Sequence, residues 1–305
     1  MNKLGPRSPN SATSRRHASD SEVPEHPSAT VGIIGVGTIG RIMAKHILAS
    51  GRELIVWDRR PEAIEHVVKA GARPASKLAD LRAASTVLSI VFDDKDIENI
   101  AFSPGGLVDS LAPGSLHLVF STISPQLSRH LHDRHAAKGQ RYLAASMFGR
   151  PEAAALAQTL FTCSGSADAY QDAAPILSVL GTPKWIGSEP EHAMLVKIMG
   201  NNMIHAAVET LCEMFEFLAA GGIGMQEAKE SIVDRLFPGL IYQGYAERLL
   251  AHGVQPRAFH PMREKDSRLC MNAARALHVE LPLFKFLREL HSPDTGGNQS
   301  AKADD

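Results

Sequence analysis

Residues 31–41 read VGIIGVGTIGR. A short apolar run ends in Gly35, Gly37 and Gly40, spaced G-x-G-x-x-G, and the helix-like segment RIMAKHILAS (41–50) follows at once. The glycine spacing alone says little, but between a strand and a helix it has a specific use. Gly35 permits the tight turn, Gly37 leaves the backbone open to close approach, and Gly40 lets the helix pack against the strand. The helix start offers unpaired N–H groups and the positive end of a dipole, which suits phosphate. The loop therefore predicts a dinucleotide site built on Gly35, Gly37, Thr38, Ile39 and Gly40 in a Rossmann-type unit.

The pattern repeats downstream. ELIVWD (53–58), TVLSIV (86–91), LHLVFS (116–121), RYLAAS (141–146) and TLFTCS (159–164) read as buried strands. Helix-like segments such as PEAIEHVVKA (61–70) separate the earlier ones, and PKWIGS (183–188) ends the series. Such alternation predicts crossover units and a mostly parallel sheet. After about residue 190 the strand signal stops, and helical patterns follow at roughly 190–220, 225–236, 239–252, 264–277 and 282–290. The first would be about 45 Å long at ~1.5 Å per residue, too long for a small unit. The expected architecture is α/β: a dinucleotide-binding Rossmann domain over 30–189, then an all-helical substrate and dimerisation domain over 190–290, joined by a long interdomain helix. Residues 1–29 and 291–305 lack periodic apolar pattern and read as disordered tails. Lys3, Arg7, Arg15 and Arg16 near the start are unaccompanied by acids in the first 19 residues, as in a transit peptide. No amphipathic stripe accompanies them, which favours a plain tail. The cleft between the two domains is the expected ligand site.

Composition narrows the function. Lys plus Arg (32) nearly balance Asp plus Glu (33), which gives no support to nucleic-acid or membrane-surface binding driven by net charge. Cys163, Cys212 and Cys270 lie far apart, so a reducing, cytoplasmic setting is expected. No apolar run approaches a membrane span. No His or Cys partners Asp93 and Asp94 at ligand spacing, so these acids read as helix caps and no metal is expected. HLHDRH (130–135) reads as a solvated helix surface, and Cys163 as buried. Glu209, Glu213 and Glu216 read as interface groups of the long helix, and His260 as a candidate lining residue of the cleft.

Two places carry candidate chemistry. The second strand ends at Asp58, eighteen residues past Gly40. An acid there accepts from both ribose hydroxyls and disfavours a 2′-phosphate, which points to NAD. Arg59 and Arg60 follow, however, and an arginine can pair with a 2′-phosphate, so NADP stays open. The second place is HAMLVKIMGNNMIHA (192–206), where Lys197 interrupts an apolar helix and Asn201 and His205 continue its face. A lysine desolvated beside a nicotinamide ring exchanges a proton near neutral pH. The alternative is a stem that covers the core while its amine snorkels to water.

The chain resembles the β-hydroxyacid dehydrogenase family over about residues 31–290. GVGTIG (35–40) is similar to the family's nucleotide loop, with Ile39 where methionine is usual. STISP (121–125) resembles its substrate loop, KIMGN (197–201) its catalytic helix, and REKDSRL (263–269) its late Lys-Asp element. The resemblance implies an NAD(P)-dependent enzyme moving hydride between nicotinamide and a 3-hydroxy acid or semialdehyde. Lys197 would transfer the proton and Asn201 position the substrate, with Ser121, Thr122 and the backbone at Gly149 holding its carboxylate. Lys265 would reach cofactor and substrate from the helical side, and Asp266 brace the site. A homodimer or higher homo-oligomer is expected. One departure stands out. Where the family carries a Ser-Gly-Gly turn, this chain reads ASMFGRPEAA, with Phe148 on the serine and Arg150 on the second glycine. A polar contact is lost and an aromatic wall gained, which tilts the expected substrate toward a bulkier or more apolar one. Arg150 either supplies a replacement fork for the carboxylate or faces solvent ahead of Pro151 at a helix start. Two other readings remain: an imine reductase, which shares the architecture but often lacks this lysine, and a nucleotide-binding protein without turnover.

Overall fold

The computed structural model describes residues 29–254 and 261–291. The expected tails, apart from their inner ends, and His260 lie outside the described residues. Eight strands form one sheet: β1 Val31–Ile34, β2 Leu54–Trp57, β3 Arg73–Pro74, β4 Thr86–Ser89, β5 Leu116–Val119, β6 Arg141–Phe148, β7 Thr159–Ser164 and β8 Gly181–Trp185. Their order is β3-β2-β1-β4-β5-β6-β7-β8. Pairing is parallel throughout except between β6 and β7. β1, β4 and β5 are fully buried, as expected of parallel strands covered on both faces. β3 is not foreseen from the sequence. It is a two-residue exposed edge whose Pro74 lacks an N–H, a position where proline costs no ladder bond.

Helices cover both faces. On one, Met43 and Ile47 of helix Thr38–Ala49 pack with Leu177 and Leu180 of helix Ala167–Leu180. On the other, Leu81, Ile97, Leu107 and Leu131 pack with Ala193 and Met194 of helix His192–Ala220. That last helix runs 29 residues. Its start is pinned to the sheet by three buried hydroxyls. Ser128 and Ser164 donate to the Pro190 carbonyl at 2.7 and 3.0 Å, and Ser146 donates to Ala193 O at 3.0 Å. Ser164 Oγ also accepts from Ala193 N at 2.9 Å. Arg129 braces the same turn through Glu189 and Glu191. Beyond the sheet the long helix leads the all-helical part. Leu211 and Phe215 pack with Val233 and with Ala246 of helix Leu240–His252, and Ile198 packs with Leu269 and Cys270 of helix Pro261–Ala276. Asp93 caps helix Asp94–Phe102, accepting from Asp96 N at 3.0 Å, and Cys163 is fully buried. No helix among the described residues is long and apolar enough to cross a membrane.

The HLHDRH segment needs correction. It lies on helix Pro125–Ala136, but His135 is buried, because it follows Leu127 and Leu131 on the core face at helical spacing. Its polarity is met by a closed hydrogen-bond chain. Gln140 Nε2 donates to the Val108 and Leu111 carbonyls at 3.2 and 2.8 Å, so its Oε1 faces His135 and accepts from Nδ1 at 2.7 Å. His117 Nδ1 then donates to His135 Nε2 at 2.9 Å, and the Ser89 hydroxyl donates to His117 Nε2 at 2.9 Å. One amide orientation thus fixes both tautomers, and both rings are neutral. Burial pushes His117 well below the usual imidazole range. It pushes His135 down to about 4, against the opposing hydrogen bond from Gln140.

A folded-state pKa below the unfolded value of about 6.5 means the unfolded chain binds the extra protons first. The native state therefore loses stability as pH falls from about 6.5 toward 4, by up to about 1.4 kcal/mol per pH unit for each ring. Denaturant titrations at pH 7 and pH 5 will show this loss. Imidazole NMR shifts will report both rings still neutral at pH 5 in the folded protein; titration of either near 6.5 would refute the assignment.

Candidate active site

The glycine loop lies between β1 and helix Thr38–Ala49, at the C-terminal edge of the sheet. A Cβ on Gly35 would fall 2.1 Å from Ile90 O, and one on Gly40 would fall 2.0 Å from Gly35 O. Both glycines are demanded by backbone packed against backbone, and Gly35 has φ +89° besides. Gly37 differs: a Cβ there would meet nothing within 4 Å. The helix N-terminus opens at Gly37 without a side-chain cap, and Thr38 beside it is exposed. These features bound a cleft of about 430 Å³, lined also by Asp58, Arg59, Phe92 and Asn99. Free helix N–H groups above a bare glycine fit a pyrophosphate.

Asp58, at the end of β2, is tied into the loop. Its Oδ2 accepts from Val36 N at 2.8 Å and its Oδ1 from Arg60 N at 3.0 Å. The carboxylate thus sits at the mouth of the cleft, where it opposes a second negative group. Arg59 extends outward and pairs with Asp96 at 3.1 Å.

Lys197 lies in the second turn of the long helix, just past the pinned start. Its Nζ donates to Asn201 Oδ1 at 2.8 Å, and Asn201 Nδ2 donates to Asp266 Oδ2 at 2.7 Å. A carboxylate only accepts, so Asp266 fixes the amide with its oxygen toward the lysine. The amine also stands 4.2 Å from the centre of the Phe148 ring. Burial lowers the Lys197 pKa to about 8, with Asp266 opposing the shift and Lys265 adding to it. His205, further along the face, is half-buried with its Nδ1 buried and without a hydrogen-bond partner, and desolvation holds it down to about 4.

Lys265 and Asp266 come from helix Pro261–Ala276 and are both buried. Lys265 Nζ donates to Phe92 O at 3.0 Å and Thr122 O at 3.3 Å, and lies 3.4 Å from Asp266 Oδ1. It therefore ties the helical part to the loops after β4 and β5. Asn202 adds a second tie, donating to the Asp266 carbonyl at 3.2 Å. The structure brings Lys197, Asn201, Lys265, Asp266, Thr122 and Phe148 into one region. Ser121 stands apart in chemistry: it is buried, and its hydroxyl accepts from Val91 N at 2.8 Å. Thr122 is half-buried, and Gly149 is exposed after Phe148. Arg150 precedes Pro151, pairs with Glu152 at 3.3 Å and lies 5.8 Å over the Tyr245 ring. Phe92 and Asn202 were not singled out in the sequence. Phe92 follows a parallel strand at its C-terminal end, which is where such sheets place ligands.

Comparison with known proteins gives the family. Residues 30–194 match the NAD binding domain of 6-phosphogluconate dehydrogenase. The uncharacterized oxidoreductase YfjR of Bacillus subtilis (strain 168) is 33% identical over 262 residues, spanning 85% of this chain and 91% of that protein. The 3-sulfolactaldehyde reductase of Escherichia coli (strain K12) is 26% identical, spanning 87% and 89%. The solved 3-hydroxyisobutyrate dehydrogenase of Salmonella typhimurium superposes with TM-score 0.76 at 22% identity, covering 86% and 92%. The chain belongs to the β-hydroxyacid dehydrogenase family, with a 6-phosphogluconate dehydrogenase-type NAD-binding domain. It is an NAD(P)-dependent oxidoreductase.

The glycines separate by environment, and so do the effects of replacing them. Gly37→Val will melt within about 2 °C of the parent and lose at least tenfold in NAD(P)H affinity, read by nucleotide fluorescence. Gly40→Val, which drives side-chain atoms into the Gly35 carbonyl, will lose folding stability as well. Equal stability in the two variants would remove the packing role given to Gly40.

Proposed function

We propose that the chain moves hydride between the nicotinamide of NAD(P) and the hydroxyl-bearing carbon of a 3-hydroxy acid, or the reverse on a semialdehyde-type acid, with Lys197 as general acid and base. The observation that carries this reading is the Lys197–Asn201–Asp266 chain, which holds a desolvated amine in one orientation, while Lys265 next to Asp266 reaches the carbonyl of Phe92 on the lining of the glycine-loop cleft. The bound nicotinamide supplies or takes the hydride; the protein supplies orientation and the proton. In reduction the Lys197 ammonium gives its proton to the carbonyl oxygen. In oxidation the neutral amine accepts the hydroxyl proton. Asn201 orients the amine and is near enough to touch the same oxygen. Thr122, on the loop tied down by Lys265, and the backbone at Gly149 are the carboxylate contacts. Ser121 serves by fixing that loop to Val91. NAD is the favoured cofactor, because the Asp58 carboxylate lines the glycine-loop cleft and would repel a 2′-phosphate, while Arg59 is engaged by Asp96. The division at residues 189/190 follows the pinned start of the long helix. The exposed Phe217 and Leu240 of the helical part support a homodimer or higher assembly, and the three cysteines, none of them joined in a disulfide, support a cytoplasmic setting.

Lys197→Ala will keep cofactor-induced thermal stabilisation and lose about 10²- to 10⁴-fold in kcat, the usual worth of positioned acid–base help. In the parent, kcat/KM for reduction will fall as pH rises through about 8, where the ammonium is lost, and the oxidation rate will rise over the same interval. Unchanged turnover in the alanine variant would take the lysine out of the reaction.

A further inference from the structure

Phe148 is the last residue of β6, and its ring turns onto the long helix. A Cβ on Gly200 would come 2.6 Å from both Cε1 and Cζ of that ring. Gly200 therefore exists to seat the phenyl group. Lys197, three residues earlier on the same face, holds its amine 4.2 Å from the ring centre. The ring thus fills the volume next to the proton-transfer amine and presents its face there.

That face carries the negative lobe of an aromatic quadrupole. It attracts the ammonium and repels a carboxylate brought to the same spot. A reacting oxygen bonded to Lys197 at about 3 Å lies within roughly 7 Å of the ring centre. Carbon substituents on the reacting centre then meet the ring, while an anion there would gain nothing. Arg150 does not offset this, since it is engaged by Glu152 and lies over Tyr245. A half-buried, apolar wall stands where a small acid would need donors.

We propose that Phe148 is the specificity-determining residue of this site, and that it selects substrates whose reacting carbon bears an alkyl or aryl substituent over the small, unsubstituted hydroxy acids, so that the oxidised partner is a 3-oxo acid in place of a semialdehyde. The proposal rests on Lys197 marking the place of the reacting oxygen. Any carboxylate the substrate carries lies away from the ring, toward the Thr122 loop.

The test compares 3-hydroxypropanoate, 3-hydroxyhexanoate and 3-hydroxy-3-phenylpropanoate as substrates of the intact protein with NAD and with NADP. In parallel, calorimetry measures binding of the unreactive propanoate and 3-phenylpropanoate to cofactor-saturated protein. The parent is expected to favour the substituted acids by about 10- to 100-fold in kcat/KM, the scale of apolar pocket discrimination. Phe148→Ser will lower or invert that ratio, and Phe148→Leu, which keeps an apolar wall, will preserve most of it. Should the serine variant lack a cooperative melt, Phe148→Ala carries the same expectation. A parent that prefers 3-hydroxypropanoate, or a ratio untouched in the serine or alanine variant, overturns the proposal while leaving the Lys197 reaction standing. Tighter binding of 3-phenylpropanoate that Phe148→Ser abolishes, without turnover of any acid, upholds the wall and sinks the proposed reaction instead. No turnover and no binding preference sinks both.

Discussion

The site depends on where one helix begins. Ser128, Ser146 and Ser164 come from a helix and two strands and converge on the Pro190 and Ala193 carbonyls. Pro190 O, just ahead of the helix, takes its bonds from two serines, and Ala193 O takes one from Ser146 beyond its helical partner, so these bonds clamp the start. Each buried hydroxyl must find a partner or lose about 1–3 kcal/mol, which makes the arrangement costly to slip. With the start fixed, helical geometry alone brings Lys197 to the rim of the sheet. The same geometry turns Gly200 toward Phe148 and Asn201 toward Asp266.

From the other side, Lys265 and Asn202 bind helix Pro261–Ala276 to the nucleotide-side loops and to the long helix. A buried ammonium is tolerated because carbonyls, a carboxylate and the Phe92 ring surround it. The site is thus assembled from residues spread across most of the chain. Its two lysines have different work. Lys265 donates to two backbone carbonyls and ties the helices to the loops, whereas Lys197 is held by the Asn201 amide and faces the Phe148 ring.

Much of this was legible in the sequence where the signal was local. The glycine spacing, the strand–helix alternation and the pairing of Lys197 with Asn201 all follow from periods of two and 3.6 residues. Phe148 was visible as a misfit at the end of β6, although its seat on Gly200 was not. The illegible part consists of contacts whose partners are far apart in the chain. Nothing near Lys265 says that it will end on carbonyls at residues 92 and 122. Nothing near Ser121 says that Val91 will claim its hydroxyl. His135 misled because three histidines in six residues look hydrophilic, while the leucines at 127 and 131 had already assigned its face to the core.

The 29-residue helix also has a mechanical aspect. At about 1.5 Å per residue it is roughly 43 Å long, so each degree of tilt about its clamped end carries its tip about 0.8 Å. Lys197, only five residues from His192, travels about 0.1 Å for the same rotation. The amine sits near the fulcrum of a lever. A tilt of a few degrees about the clamped end would carry the far tip through several ångströms and leave the Lys197 amine almost where it stands.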